Sequence, residues 1–231
     1  MKSRALQALE KGVEEVDHLL LADPTPRGGL SPQPEVTRAV IRAAIVLLCG
    51  HFERYIRAVS EEAVGAVNRE DIRYNDLSVD LRLQHSRIGI DQLIERKWES
   101  RETALMEFVN SDSWLWADVP KVDLIADRLL TWLKSPKPER LRRVFRLWGI
   151  DDIFSKITRK PTTRGEFWLR VKELVEKRNN IAHGDFTVEA TRSDVKAYQK
   201  VVREFCRRAD AALERALETH VGIAGAWQQP A

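Results

Sequence analysis

A chain of 231 residues can bury a sizeable core as one large domain, and a composition of 43% hydrophobic and 32% charged residues is typical of a soluble helical protein. A net charge of only +3 excludes a protein whose whole surface binds nucleic acid, and 11 glycines are too few for an all-β fold rich in tight turns. Cys49 and Cys206, far apart in sequence, read as small buried residues of a reducing compartment.

The first predicted helix covers residues 2 to 21, with Leu6, Leu9, Val13, Val16 and Leu20 on one side. Residues 22 to 35 hold four prolines and two glycines and predict a loop. A long helix follows from about Glu35 to Val67. Its main stripe is Val36, Val40, Ala44, Leu47, Leu48, Phe52, Tyr55, Val59, Ala63 and Ala66. A second line through Val46, Cys49, Ile56 and Val67 predicts burial on two sides. Glu53 interrupts that second line, and a carboxylate there calls for a cation. Arg178 and the nearby Arg57, at i+4, both qualify. Gly50 suggests a close helix crossing, and His51 reads as a satisfied residue at the core edge.

Residues 68 to 133 carry 9 Lys/Arg against 13 Asp/Glu and form an insertion of different character, expected to be largely helical. LSVDLRLQHSRIG within it is only weakly periodic and suits a short strand or irregular chain. Trp98, Trp114, Trp116 and Trp132 are expected to pack between helices, with base stacking as the competing use. Lys121 to Leu133 predicts a helix through Val122, Ile125, Leu129, Trp132 and Leu133. Residues 134 to 170 then reverse the sign, with 11 Lys/Arg against 4 Asp/Glu. Leu141, Val144, Phe145 and Trp148 give that stretch a core face. Arg142, Arg143 and Arg146, with Lys160 and Arg164 downstream, offer either a solvated basic face or a phosphate-attracting one.

The most informative stretch is Arg178 to Gly184, RNNIAHG. Phe167, Val171, Leu174, Val175 and Ile181 mark one helix face, and Arg178 occupies a slot on it suited to an aliphatic residue. A guanidinium keeps its charge, so burial there demands a carboxylate, a phosphate or water. Asn179 and Asn180 are poor helix formers, and Gly184 marks the helix end just past His183. An obligate cation and a residue titrating near neutrality, five apart, suit work on a phosphate. They equally suit a helix C-terminal cap. Beyond Gly184, Thr191 and Asp194 form a capping box. A last helix follows through Val195, Tyr198, Val202, Phe205, Ala209, Leu213 and Ala216. The aperiodic residues 220 to 231 predict a frayed tail, onto which Trp227 could still dock. The five histidines are scattered without metal-ligand spacing, and no secretory leader or membrane-length apolar run is present, so a cytoplasmic protein is expected.

SPKPERLRRVFRLWGIDDIF, then VKELVEKRNNIAHGD and TRSDVKAYQKVVREFCRRAD, together resemble the HEPN superfamily, most closely its RiboL-PSP-type branch. The upstream LLCGHFERYIRAVSEEAV resembles that family's first core helix. The likeness covers residues 36 to 67 and 134 to 217 and leaves the middle unmatched. It implies an all-α bundle over 1–231, built on a long core helix, with residues 68–133 inserted. It also implies a metal-independent, cofactor-free endoribonuclease acting as a homodimer on RNA, in toxin–antitoxin or antiviral settings, where a cognate antitoxin is a natural partner. Carried over, Arg178 and His183 would be the catalytic pair of an R-x4–6-H motif, with Asn179 beside them and Glu53 and Asn180 in support. In members paired with a nucleotidyltransferase antitoxin a Tyr stands two residues after the His. Here Asp185 does, so that form of control is not expected. The competing reading is a non-catalytic module that binds RNA or a protein.

Five residues along an unbroken helix turn about 500° and rise about 7.5 Å, leaving Arg178 and His183 roughly 140° apart. One phosphate can meet both only if the helix loosens at Asn179–Asn180, or if a second copy contributes across a two-fold axis.

Overall fold

Ser3 starts the first helix of the computed structural model, which describes residues 1–25 and 32–228. Its hydroxyl accepts the Leu6 N–H at 2.9 Å, and α1 (Arg4–Leu21) then buries Leu6, Leu9, Val13, Val16 and Leu20, the expected stripe. Part of the expected 22–35 loop, residues 26 to 31, lies outside the described residues. Proline, whose missing N–H costs nothing in a first turn, opens α2 (Pro34–Arg69). This long helix packs against α1, α8 (Pro161–Ala182) and α9 (Arg192–Ala216). That contact set explains the burial of Leu48, Cys49, Phe52, Tyr55, Ile56 and Val59 on more than one side. α6 (Pro138–Arg146) and α7 (Ile153–Ile157) close the bundle, joined by a turn through Gly149 at φ 77°.

Two expectations on α2 are corrected. Gly50 is exposed, and a side chain built there would touch nothing, so the chain makes no close crossing at that point. The close approach is at Gly12 of α1, where a Cβ would lie 2.5 Å from the His51 ring. His51 Nε2 sits 3.1 Å from Glu15 Oε2, the core-edge setting expected of it. Val36 and Val46, assigned to buried lines, are exposed instead.

The insertion is helical, and LSVDLRLQHSRIG is neither strand nor irregular. From Val79 on it lies in α3 (Val79–Glu95), capped by the Ser78 hydroxyl, and α3 pairs with α4 (Arg101–Asp112). The helix expected from Lys121 shrinks to α5 (Ala126–Leu130), with Val122 and Ile125 exposed. The reason is long-range. Lys121 Nζ donates to the carbonyls of Val67, Asn68 and Glu70 at the end of α2, and Asn68 clamps Leu124 through its N–H and C=O. The Asn68 bonds spend the Leu124 N–H and C=O that a longer helix would need, and the Lys121 bonds tie the segment's start to the end of α2. Trp114 is buried and Trp132 half-buried, but Trp98 and Trp116 are 78% and 40% exposed and do not serve the core.

The Thr191–Asp194 capping box forms as expected and launches α9. The tail differs from the frayed expectation as far as residue 228: Ile223, Ala226 and Trp227 are buried, and Arg69 donates to the Ala226 carbonyl. Residues 229 to 231 lie outside the described set. Among the described residues there is no strand and no helix long and apolar enough to cross a membrane.

One buried carboxylate ties α1 to α9. Asp210 accepts from the Ser3 N–H at 3.2 Å and from the Ser3 hydroxyl. Burial pushes its pKa up to about 6, from an ordinary 3.8, against the pull of Ser3 and with help from Glu62 and Glu214. The folded state therefore binds more protons than the unfolded one between those two values. Stability should fall as pH rises through that window and level off above it. Asp210→Asn is expected to flatten that limb in urea midpoints measured against pH; an unchanged limb would assign the slope to other groups.

Candidate functional site

Arg178 sits three turns along α8 from Phe167, on the face that packs against α2. Its Nη2 donates to Glu53 Oε2 at 2.7 Å, and both side chains keep just over a fifth of their surface exposed. Glu53 is shared: Arg57 Nη2 lies 3.7 Å from Oε1, and Arg57 also donates to the Leu133 carbonyl. Both partners that the sequence allowed for Glu53 are thus engaged. Beneath the pair lies buried Cys49, one turn before Glu53 on α2. Burial pushes the Cys49 thiol up, against the neighbouring Arg178 charge. Arg178 therefore meets an anion, a thiol and partial solvent where its flanking stripe is purely apolar.

The helix does not loosen at the asparagines. α8 continues through Asn179 and Asn180 to Ala182, with His183 as its C-cap. Gly184 at φ 82° takes the left-handed position that ends the helix. Its N–H reaches the Ile181 carbonyl at 3.1 Å, and the Asp185 N–H reaches the Asn180 carbonyl at 3.0 Å, the paired bonds of a Schellman cap. Asn179 is half-buried, and its carbonyl accepts the His183 N–H at 2.9 Å; Asn180 and His183 are exposed. Arg178 turns into α2 while His183 stands at the open end of α8. Of the two ways for one phosphate to meet both, helix loosening is absent from this chain.

Two residues beside the site carried no sequence signal. Arg42 of α2 donates to the Asp185 carbonyl at 2.7 Å and lies 5.1 Å from the centre of the Phe186 ring, which is 84% exposed. The Asp185 carboxylate accepts from the Thr187 N–H and hydroxyl, and these bonds hold its carboxyl below the usual range. The loop after His183 is thus pinned at three points.

The five basic residues singled out between 134 and 170 do not gather on one face. Arg142 makes a two-pronged bond with Asp152, at 2.9 and 3.3 Å, and stacks 4.5 Å from the Trp168 ring centre. Arg164 donates to the Ser155 hydroxyl, and Lys160 is exposed just before α8. Arg143 and Arg146 lie toward α3 instead. Trp168 precedes Arg178 by ten residues, or about 15 Å of helix. Among the described residues no three His, Cys, Asp or Glu side chains converge to hold a metal ion.

These elements define an all-α domain with a partly desolvated arginine on its central helix pair and an exposed histidine at the adjoining helix end. The RiboL-PSP-HEPN family model matches residues 8–215, nearly the whole length, and the chain belongs to that family. The match runs through the insertion that the sequence likeness left uncovered. No curated protein and no solved structure matches the chain. HEPN domains are often ribonucleases, and membership points to a ribonuclease-like or nucleotide-related function.

Proposed function

We propose that this protein is a metal-independent endoribonuclease that works as a homodimer, in a toxin–antitoxin or antiviral setting. The observation that carries the reading is the Arg178–Glu53–Arg57 arrangement. One carboxylate faces two guanidiniums, leaving a net positive charge for a phosphate at a half-buried position. The RNA 2′-oxygen would attack the adjacent phosphorus as the bond to the 5′-oxygen breaks, leaving a 2′,3′-cyclic phosphate and a 5′-hydroxyl. His183 would take the 2′-hydroxyl proton, and a second imidazole would return one to the leaving oxygen. Arg178 would stabilise charge on the non-bridging oxygens through its planar fork, with Asn179 orienting the phosphate. The nucleophile belongs to the substrate, so the chemistry selects RNA over DNA.

Two features favour two copies. Arg178 and His183 diverge along an unbroken α8, so a groove shared by two chains would supply Arg178 from one and the partner's His183 from the other. In addition, Val36, Ala39, Ala43, Val46 and Gly50 form an exposed small and apolar line at three- and four-residue spacing along α2, leading toward Glu53. Gly50, vacant within the chain, is where a second α2 could approach closely.

Single-stranded RNA incubated with the protein in EDTA should yield cyclic-phosphate ends, and a 2′-deoxy substitution at the cleaved position should block it. Products with 3′-hydroxyl ends, or a strict need for a divalent ion, would overturn the mechanism. Val46→Asp is expected to give a folded monomer by sedimentation with at least tenfold less cleavage, because it places a charge in the shared seam. A fully active monomer would remove the second copy from the mechanism.

A further inference from the structure

An open cleft of 270 Å³ lies between α3 and α6, lined by Asp80, Gln84, Arg87, Arg143 and Arg146 among others. α6 turns Arg142 toward α8 and Arg143 toward α3, and neither Arg178, Glu53 nor His183 lines this cleft. Arg143 is fixed in place. Its Nη2 donates to Gln84 Oε1 at 2.7 Å, and its guanidinium lies 4.1 Å from the Trp132 ring centre. Gln84 is only 5% exposed and is itself anchored, its amide donating to the Arg128 carbonyl at 3.2 Å. A buried group thus presents this arginine to the cleft, where a free surface residue would sweep solvent.

The charges around it are out of balance. Arg146 has no ion-pair partner among the described residues, and neither does Asp80. Arg87 reaches Asp91 at 3.4 Å in an exposed pair, the kind that is worth little and is readily exchanged. Burial lowers the Arg143 pKa, and the nearby Arg87 and Arg146 add to the effect against the pull of Asp80. Like charges held together in the cleft repel, and an anion entering it relieves that repulsion while gaining charge-assisted bonds from planar donor forks.

We propose that Arg87, Arg143 and Arg146 form a phosphodiester-binding subsite that grips the backbone of an RNA strand outside the reacting centre. The choice of RNA rests on the ribonuclease reading, whereas the cleft does not. The site gives the insertion a role, since Arg87 and the Gln84 anchor both come from α3. It has no base-reading edge of its own, so the affinity it adds should be independent of sequence.

The test uses the full chain and non-cleavable 2′-O-methyl RNA, one strand of about twenty nucleotides and one trinucleotide, titrated at several salt concentrations. Arg87→Ala/Arg146→Ala should bind the long strand about tenfold more weakly, with the slope of log affinity against log salt reduced by about 0.7 for each arginine removed. Trinucleotide binding should not change, and the paired lysine variant should restore most of the slope. Circular dichroism should stay native, since both side chains are exposed. A long strand that binds the double variant as it binds wild type overturns the subsite. The two readings fail separately. Weakened binding in a protein that cleaves nothing keeps the cleft and ends the ribonuclease reading, and active cleavage with unchanged binding does the reverse.

Discussion

Arg178→Ala is expected to lower RNA cleavage by roughly 10² to 10³ while the protein stays folded. The size follows from what the guanidinium would do. It would supply preorganised donors to oxygens that gain charge in the transition state, at a position where buried Cys49 and the α2–α8 contact keep water partly out. The stability cost should be much smaller. Removing one partner of a fully buried ion pair costs about 3 to 5 kcal/mol, because it strands a charge. Glu53 would not be stranded: its side chain is 23% exposed and Arg57 lies 3.7 Å from its other oxygen. A loss of about 1 to 2 kcal/mol is expected, between the exposed and buried limits. Arg178→Lys should recover that stability and little activity, since an ammonium keeps the charge but loses the planar fork. His183→Ala should cost a comparable factor in rate with almost no change in stability, because the imidazole is exposed and the cap it occupies is held by backbone bonds. Urea melts and single-turnover cleavage on the same three variants separate the possibilities. Cleavage that survives Arg178→Ala, alongside a loss of several kcal/mol, would make the Arg178–Glu53 pair a structural clamp and nothing more.

What could be read in the chain and what could not divide along a physical line. The bundle helices α1, α2, α8 and α9 each bury an apolar stripe at the helical period, so composition in order was enough to place them. Glu53 and Arg178 announced themselves as charges interrupting such stripes, and their bond forms. α3 was illegible for the opposite reason. Its buried residues are Leu81, Gln84, His85 and Ser86, three of them polar, so no apolar line marks its inner face. His85 and Asp112 are almost fully enclosed there, with Arg128 donating to Asp112 at 2.7 Å and His85 Nε2 accepting the Ile125 N–H at 3.0 Å. A core built from hydrogen-bonded polar groups obeys pairing rules between distant residues, and those leave no local period. Lys121 and Asn68 shorten α5 by the same kind of distant bond. Gly50 and Gly12 show a related limit: a glycine in a helix signals room beside the backbone, and only the packing decides whether a side chain of α2 fills it, as at Gly12, or nothing within the chain does, as at Gly50. The tight cluster of Arg143 and Arg146 with Arg87 was hidden because its third member lies 56 residues upstream of Arg143, across a change in local charge sign.

The largest loss of stability should come from Phe205→Ala. Phe205 is fully enclosed, and its ring meets Phe52 of α2 at 5.8 Å, Phe154 of α7 at 5.4 Å and Phe167 of α8 at 6.1 Å between centres. Two of these contacts are edge-to-face, the geometry that aromatic quadrupoles favour. Truncation removes the apolar burial and leaves a void that three rigid rings from three different helices cannot easily collapse into. The expected cost is about 3 to 5 kcal/mol, a large share of the roughly 5 to 15 that hold a typical domain together. Phe205 also bridges α2 and α8, the two helices that carry the candidate site. Phe52 precedes Glu53 on α2, and Phe167 stands on the same face of α8 as Arg178, so Phe205 helps to set the spacing across which those two meet at 2.7 Å. Phe205→Leu should retain most of the stability by filling much of the space. Phe186→Ala, which removes an 84% exposed ring, should change it by no more than about 0.5 kcal/mol. Chemical denaturation of the three variants gives the ranking directly. A Phe205→Ala loss near that of Phe186→Ala would mean that the four rings are not packed against one another in solution, and that something other than this cluster fixes the α2–α8 distance on which the arginine–glutamate bond depends.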